Sequence, residues 1–185
     1  MDIVGPFLKA ARNKIWLLVG TSYFTKWVEA EPLANIRDVD AKRFVWKNIV
    51  TRFGIPYTLI SDNGLQFNSK AFRRYCYDLG IVNRYSTPAY PQGNGQAEAV
   101  DKVIVNGLKK RLDDAKGKWV KELSHVLWTY RTTPRMSTRE TSFSMTYGAE
   151  DIIPLESGLP TLRTSSFTPS NNDGLLKKSL DLIEE

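Results

Sequence analysis

The feature that most constrains this chain is a change of hydrophobic period near residue 38. Before it, apolar residues come in short β-type runs; after it, they recur every three or four residues, the helical spacing. Met1-Asp2-Ile3-Val4-Gly5-Pro6 reads as a short strand stopped by Gly-Pro. Ile15–Gly20 is one apolar run, the pattern of a buried strand, and Trp27-Val28-Glu29-Ala30-Glu31 alternates as an antiparallel partner does. Three strands on short connections predict a meander, half of a sheet.

Past the change, Asp38 is a predicted N-cap. Ala41, Phe44, Val45, Ile49 and Phe53 then share one helical face, closed by Gly54 and Pro56. Tyr57–Ile60 is β-prone and ends in the turn Ser61-Asp62-Asn63-Gly64. A helix follows over Ser69–Leu79, with Phe72, Tyr75, Cys76 and Leu79 inward, and then a fifth strand over Ile81–Tyr85. The order is β-β-β-α-β-α-β, followed by a turn-rich loop, Thr87–Gly95. Two helical stripes come next, Ala97 to Leu112 and Trp119 to Tyr130, separated by Lys116-Gly117-Lys118. A short helix is expected at Ser142–Tyr147. Thr164–Asp173 reads as a linker, and Gly174–Glu185 as a helix with too few apolar residues to fold alone.

Charge is spread unevenly. The net charge is +6, but residues 151–185 hold three basic and six acidic residues, which leaves 23 basic against 14 acidic, or +9, on residues 1–150. A basic body suits a polyanionic partner. With one cysteine and one histidine, neither an internal disulfide nor a Cys/His zinc cluster can form, so a metal would need oxygen ligands. Neither a signal-peptide pattern nor an apolar run near the ~18 residues of a membrane span is present, so a soluble intracellular protein is expected. Trp16, Trp46, Trp119 and Trp128 are expected in the core, Cys76 is read as a small buried hydrophobe, and His125 as structural.

Three carboxylates stand out by position: Asp2 on the first strand, Asp62 at the end of the fourth, and Glu98 in the first turn of the long helix. Acids clustered without Lys or Arg need a cation, and Mg²⁺ prefers such oxygen ligands. Spacing alone leaves a plainer alternative open. An Asp before Asn-Gly is a common turn residue, and a Glu in a first turn suits the helix dipole.

The sequence resembles the integrase catalytic core of gypsy-type long-terminal-repeat retrotransposons. The resemblance is carried by residues 1–6, Tyr23–Ala30, Phe53–Pro56, Ser61–Gly64, Pro91–Glu98 and Tyr130–Pro134, in family order over residues 1–160. The 35 residues between Asp62 and Glu98 match the family's D,D-35-E signature. The resemblance implies an α/β, RNase H-like fold, a five-stranded mixed sheet flanked by helices, with residues 161–185 as linker and extension. It also implies a catalytic, metal-binding triad of Asp2, Asp62 and Glu98 using Mg²⁺ or Mn²⁺. The implied reaction is DNA 3′-end processing and strand transfer in the nucleus, by a homodimer or higher oligomer acting on element ends and target DNA. Gln92 and Asn94 are implied to position the DNA end, and Lys102 and Lys109 to face its phosphates.

Departures from the family pattern set further expectations. Ser22 stands where relatives usually have Asp. Asp101 replaces a usual Asn one turn after Glu98 and is expected to alter metal affinity. The family's zinc-binding and C-terminal DNA-binding domains lie outside these 185 residues, so a core, a truncated element or a domesticated fragment is expected. The nearness of Met1 suggests that Asp2 frays and that the α-amino charge competes with metal. Two alternatives remain open: a non-catalytic DNA- or protein-binding remnant, and an RNase H-type nuclease of RNA–DNA hybrids.

Overall fold

The computed structural model describes residues 1–86, 102–107, 118–136 and 138–149. It divides into two units: residues 1–23 with the described residues from 28 to 127, and residues 24–27 with those from 128 onward.

In the first unit β1 (Asp2–Val4), β2 (Trp16–Thr21) and β3 (Val28–Leu33) form the predicted antiparallel meander, with Asp2 opposite Val19 and Gly20 opposite Glu29. Pro32 lies inside β3, which is tolerated because β3 is the edge strand of its sheet among the described residues. β4 (Thr58–Ser61) and β5 (Val82–Tyr85) pair in parallel. The Met1 nitrogen donates to the Ile60 carbonyl and joins the two sheets at β1 and β4. All five predicted strands are present, paired as an antiparallel three-stranded sheet and a parallel two-stranded one rather than as one five-stranded sheet.

Helix α1 (Asp38–Phe44) continues through a π-helical turn, Val45–Val50, into the single turn α2 (Thr51–Phe53). Asp38 is the first helical residue rather than the cap; Arg37 is the cap, and Asp38 accepts instead from the Ser69 hydroxyl at 3.1 Å. The π turn inserts extra residues into the helical repeat and rotates the stripe beyond it. Ala41, Phe44 and Val45 are therefore buried, whereas Phe53, expected on the same face, is 43% exposed. Trp46 directly follows buried Val45, points off the stripe and is 51% exposed, contrary to its expected core position.

Two devices fix α1 to the sheet. A Cβ at Gly20 would stand 3.1 Å from the Phe44 ring, so glycine is what admits that ring against β2. On the edge strand, Glu29 meets Arg52 at 2.7 Å, while Glu31 accepts from Asn48 at 3.0 Å and faces Arg43 at 3.3 Å. Asp40, nearly buried, is held by Arg37 at 2.8 Å and Arg43 at 3.3 Å. These pairs offset the loss of hydration of the acids they cover.

Sequence reading placed one helix over Ser69–Leu79; the structure has two, α3 (Leu65–Asn68) and α4 (Lys70–Asp78). Ser69 separates them as a true N-cap, its hydroxyl accepting from the Phe72 N–H at 3.0 Å. Phe67, Phe72 and Cys76 enter one core with Leu18, Phe44, Leu59 and Ile81. Residues 102–107 are helical (α5) with Ile104 fully buried, and α6 (Trp119–Thr132) buries Trp119, Leu123, Val126 and Leu127 as its stripe requires. The Trp119 indole donates to the Leu8 carbonyl at 2.8 Å and stacks on Phe7 at 4.9 Å, which pins the β1–β2 connection. His125, expected to be structural, is exposed on α6 with its Nδ1 4.0 Å from Glu122.

The second unit brings residues of two sequence motifs together. Trp27 is buried, with the Arg131 guanidinium 4.2 Å from its ring centroid and Tyr147 edge-on at 5.2 Å. Phe143 packs against both Tyr147 and Trp128. α7 (Ser142–Tyr147) forms where expected, with a Thr141–Ser144 capping box and Gly148 in the left-handed region. The Tyr23–Ala30 and Tyr130–Pro134 motifs thus contribute Trp27 and Arg131 to one aromatic–cation cluster.

Cys76 is 1% exposed, and burial pushes its thiol up to about 11. An unfolded cysteine ionises near ~8.5, so burial favours the protonated form and stability falls as pH rises from about 8.5 towards 11. At pH 8 an aromatic disulfide reagent should label Cys76 only at the rate of unfolding. Labelling as fast as for free thiol would show that the core is open at Cys76.

Candidate active site

The β1–β4 junction brings together two of the three predicted carboxylates. Asp2 is a paired β1 residue whose carboxylate accepts from the Ile3 N–H at 2.7 Å. Beside it Met1 is buried and its nitrogen donates to the Ile60 carbonyl. Asp62 is the first residue beyond β4, and its carboxylate accepts from the Gly64 N–H at 3.2 Å, an Asx turn. Glu98, Gln92, Asn94, Lys109 and Asp101 lie outside the described residues. Lys102 is described, and its side chain is exposed on α5.

Burial raises the Asp62 carboxyl above its ordinary range, and the Asp2 charge raises it further; the Gly64 N–H and the Met1 ammonium oppose both. Among the described residues no Lys or Arg pairs with either acid. An adjacent pair of carboxylates without a basic partner, one of them half-buried, fits a hard divalent cation with oxygen ligands. No third acid joins them among the described residues.

Sequence reading missed how firmly the Asp62 turn is held from both sides by β5. Before the turn, the Ser61 carbonyl accepts from the Ser86 N–H at 2.8 Å and its hydroxyl at 3.3 Å. After it, the Phe67 carbonyl accepts from the Tyr85 hydroxyl at 3.1 Å and the Asn83 amide at 3.4 Å, and Asn83 also donates to Tyr85 at 2.9 Å. One signal was available. In β5 Val82 and Arg84 face out while Asn83 and Tyr85 face in, and an inward Asn needs a polar partner.

Residues 1–91 match the integrase core domain family. The match spans just under half of the chain, and the likeness extends to retroviral Gag-Pol polyproteins. It is 34% identical over 144 residues to the Gag-Pol polyprotein of gibbon ape leukemia virus, covering 77% of this chain and 8% of that protein. With the Gag-Pol polyprotein of avian reticuloendotheliosis virus it shares 27% identity over 162 residues, 88% of this chain and 14% of that protein. The chain thus spans under a sixth of these relatives. Among solved structures, the catalytic core domain of BIV integrase superposes with a TM-score of 0.62 at 18% identity, covering 85% of this chain and 93% of that one. A simian T-cell lymphotropic virus intasome chain gives 0.69 at 20%, covering 83% and 55%. These likenesses establish the RNase H-like fold of the integrase core.

Two outcomes are expected. Because folding raises the Asp62 pKa, its charged form destabilises the metal-free chain above that pKa, and the penalty vanishes below the unfolded value of about 3.9. Asp62→Asn should therefore melt higher than the parent chain at pH 7 in chelator, with the gap closing near pH 3.5. An equal or lower melting temperature at pH 7 would contradict the penalty. Tyr85→Phe removes one arm of the clasp and should cost about 1 kcal/mol in urea unfolding. It should also raise the divalent-ion concentration needed for half-maximal activity, and an unchanged ion titration would detach β5 from the site.

Proposed function

We propose that this chain catalyses phosphoryl transfer on DNA as the integrase core of a gypsy-type long-terminal-repeat retrotransposon. The observation that carries the reading is the placement of Asp2 and Asp62 on neighbouring strand ends, close enough for one charge to raise the other carboxyl, with no Lys or Arg paired to either among the described residues. Asp2, Asp62 and Glu98 hold Mg²⁺ or Mn²⁺. Bound divalent ions supply charge stabilisation for in-line displacement at phosphorus, so no histidine base is needed. Water first frees a 3′-hydroxyl at an element end; that oxygen then attacks a target phosphodiester and releases the target's own 3′ oxygen.

The remaining assignments extend the same reading. Gln92 and Asn94 position the DNA end, and Lys102 and Lys109 contact phosphates. Exposure of Lys102 supports its part. The working form is a homodimer or higher oligomer, an idea supported by a structural neighbour, the magnesium complex of the HTLV-2 integrase core in a trimeric form (TM-score 0.61, 20% identity, covering 78% of this chain and 93% of that one). The site of action is the nucleus, where target DNA lies.

Incubation with Mn²⁺ and a branched DNA substrate should yield nicked and joined products. Asp62→Asn should lower that yield by at least about two orders of magnitude while the circular dichroism spectrum stays unchanged. Equal activity in the variant would remove Asp62 from the mechanism. Cleavage confined to RNA–DNA hybrids would replace strand transfer with a nuclease function.

A further inference from the structure

One face of α4 carries cations that helix stability does not explain. Lys70, Arg73, Arg74 and Tyr77 fall at i, i+3, i+4 and i+7, and all four are exposed, while Phe72 and Cys76 on the other side are buried. The first turn holds no acidic residue, and the helix's one acid, Asp78, is its last residue. Both arrangements oppose the helix dipole, which favours acids at the start and bases at the end. Ion pairing does not account for the cluster either. Lys70 and Arg73 have no partner acid among the described residues. The Arg74–Asp78 pair, at 2.8 Å, is largely exposed, so a phosphate oxygen displaces that carboxylate with little loss. The Arg74 guanidinium lies 5.8 Å from the ring of Tyr77, which is 76% exposed at the end of the stripe.

We propose that this face of α4 is a DNA-binding surface additional to the carboxylate pair, gripping the phosphate backbone of duplex DNA without reading its sequence. Three cations along one helical edge complement a polyanion, and the Tyr77 hydroxyl adds a donor for phosphate. Lys70 to Arg74 spans about 6 Å of helix rise at 1.5 Å per residue, close to two base-pair steps of about 3.4 Å. The four side chains therefore serve one short stretch of backbone. Naming DNA as the polyanion rests on the proposed function; the cationic face itself does not.

Fluorescence anisotropy of the full chain with a labelled random-sequence duplex, across a salt series and with chelator present, tests this directly. Each phosphate contact contributes about 0.9 to the slope of log affinity against log salt. The triple variant Lys70→Ala/Arg73→Ala/Arg74→Ala should therefore have a slope shallower by about 2.7. Should that variant misfold, Arg73→Gln alone should lose about one unit. An unchanged slope and affinity in a folded variant would overturn the proposal. Polyglutamate competing as well as unlabelled duplex would overturn DNA as the occupant. Asp62→Asn should keep the parent slope, so loss of catalysis and loss of this surface are read separately. If the parent chain fails to nick DNA while the triple variant still loses binding, the chemistry falls and the surface stands.

Discussion

Two like charges held side by side destabilise the chain that holds them, and here the fold is arranged to hold them anyway. Asp2 and Asp62 are 60 positions apart in sequence. They meet because the Met1 nitrogen reaches the Ile60 carbonyl and joins the antiparallel meander to the parallel pair. That junction fixes the electrostatics: burial and the Asp2 charge both push the Asp62 carboxyl upward. A site with this bias would be relieved by the divalent cation proposed for it, so metal affinity and metal-free instability would share one geometric cause.

Holding the pair requires rigidity on both sides of the Asp62 turn, and β5 supplies it. Ser86 grips the carbonyl before the turn, and Tyr85 with Asn83 grips the carbonyl five residues after it. These bonds act on backbone carbonyls, so they set where the Asp62 main chain lies rather than how its carboxylate rotates. Rotation is left to the Asx bond from Gly64. A metal ligand benefits from this division, because a fixed main chain with a lightly held side chain adapts its oxygens to an ion at small cost.

Much of the architecture was legible because strand and helix periods differ so plainly on either side of residue 38. Alternation in Trp27–Glu31 and the apolar run before it gave the meander, and the turn Ser61–Gly64 placed Asp62 at a strand end. What escaped was local. A π turn leaves no mark on composition, so the rotation that exposes Phe53 was invisible. Trp46 is expected on an apolar face, yet it follows buried Val45, falls off the stripe of Ala41, Phe44 and Val45, and is exposed. Helix α3 is a single turn, too short for periodicity to register. The β5 clasp was half-legible, since an inward Asn is a signal, but its partners are backbone carbonyls that side-chain chemistry does not announce. Glu98, the third acid, was read from resemblance and from a spacing that on its own also fits an ordinary turn and helix start.

The two charged surfaces of the first unit show how sequence charge separates into different kinds of work. Arg37, Arg43 and Arg52 sit on or beside the α1 segment, and each is matched by Asp40, Glu29 or Glu31 at 2.7–3.3 Å. Those acids are largely covered by protein, so removing any one arginine leaves a poorly hydrated carboxylate behind. Such arginines belong to the fold. Lys70, Arg73 and Arg74 lie on a helix of similar length, yet among the described residues only Arg74 has an acid, and that acid is half-exposed. Removing them leaves nothing buried and unpaired. A cation whose loss costs the fold so little, placed where the helix dipole opposes it, is free to serve a ligand, and this asymmetry separates the α4 face from the rest of the basic surface.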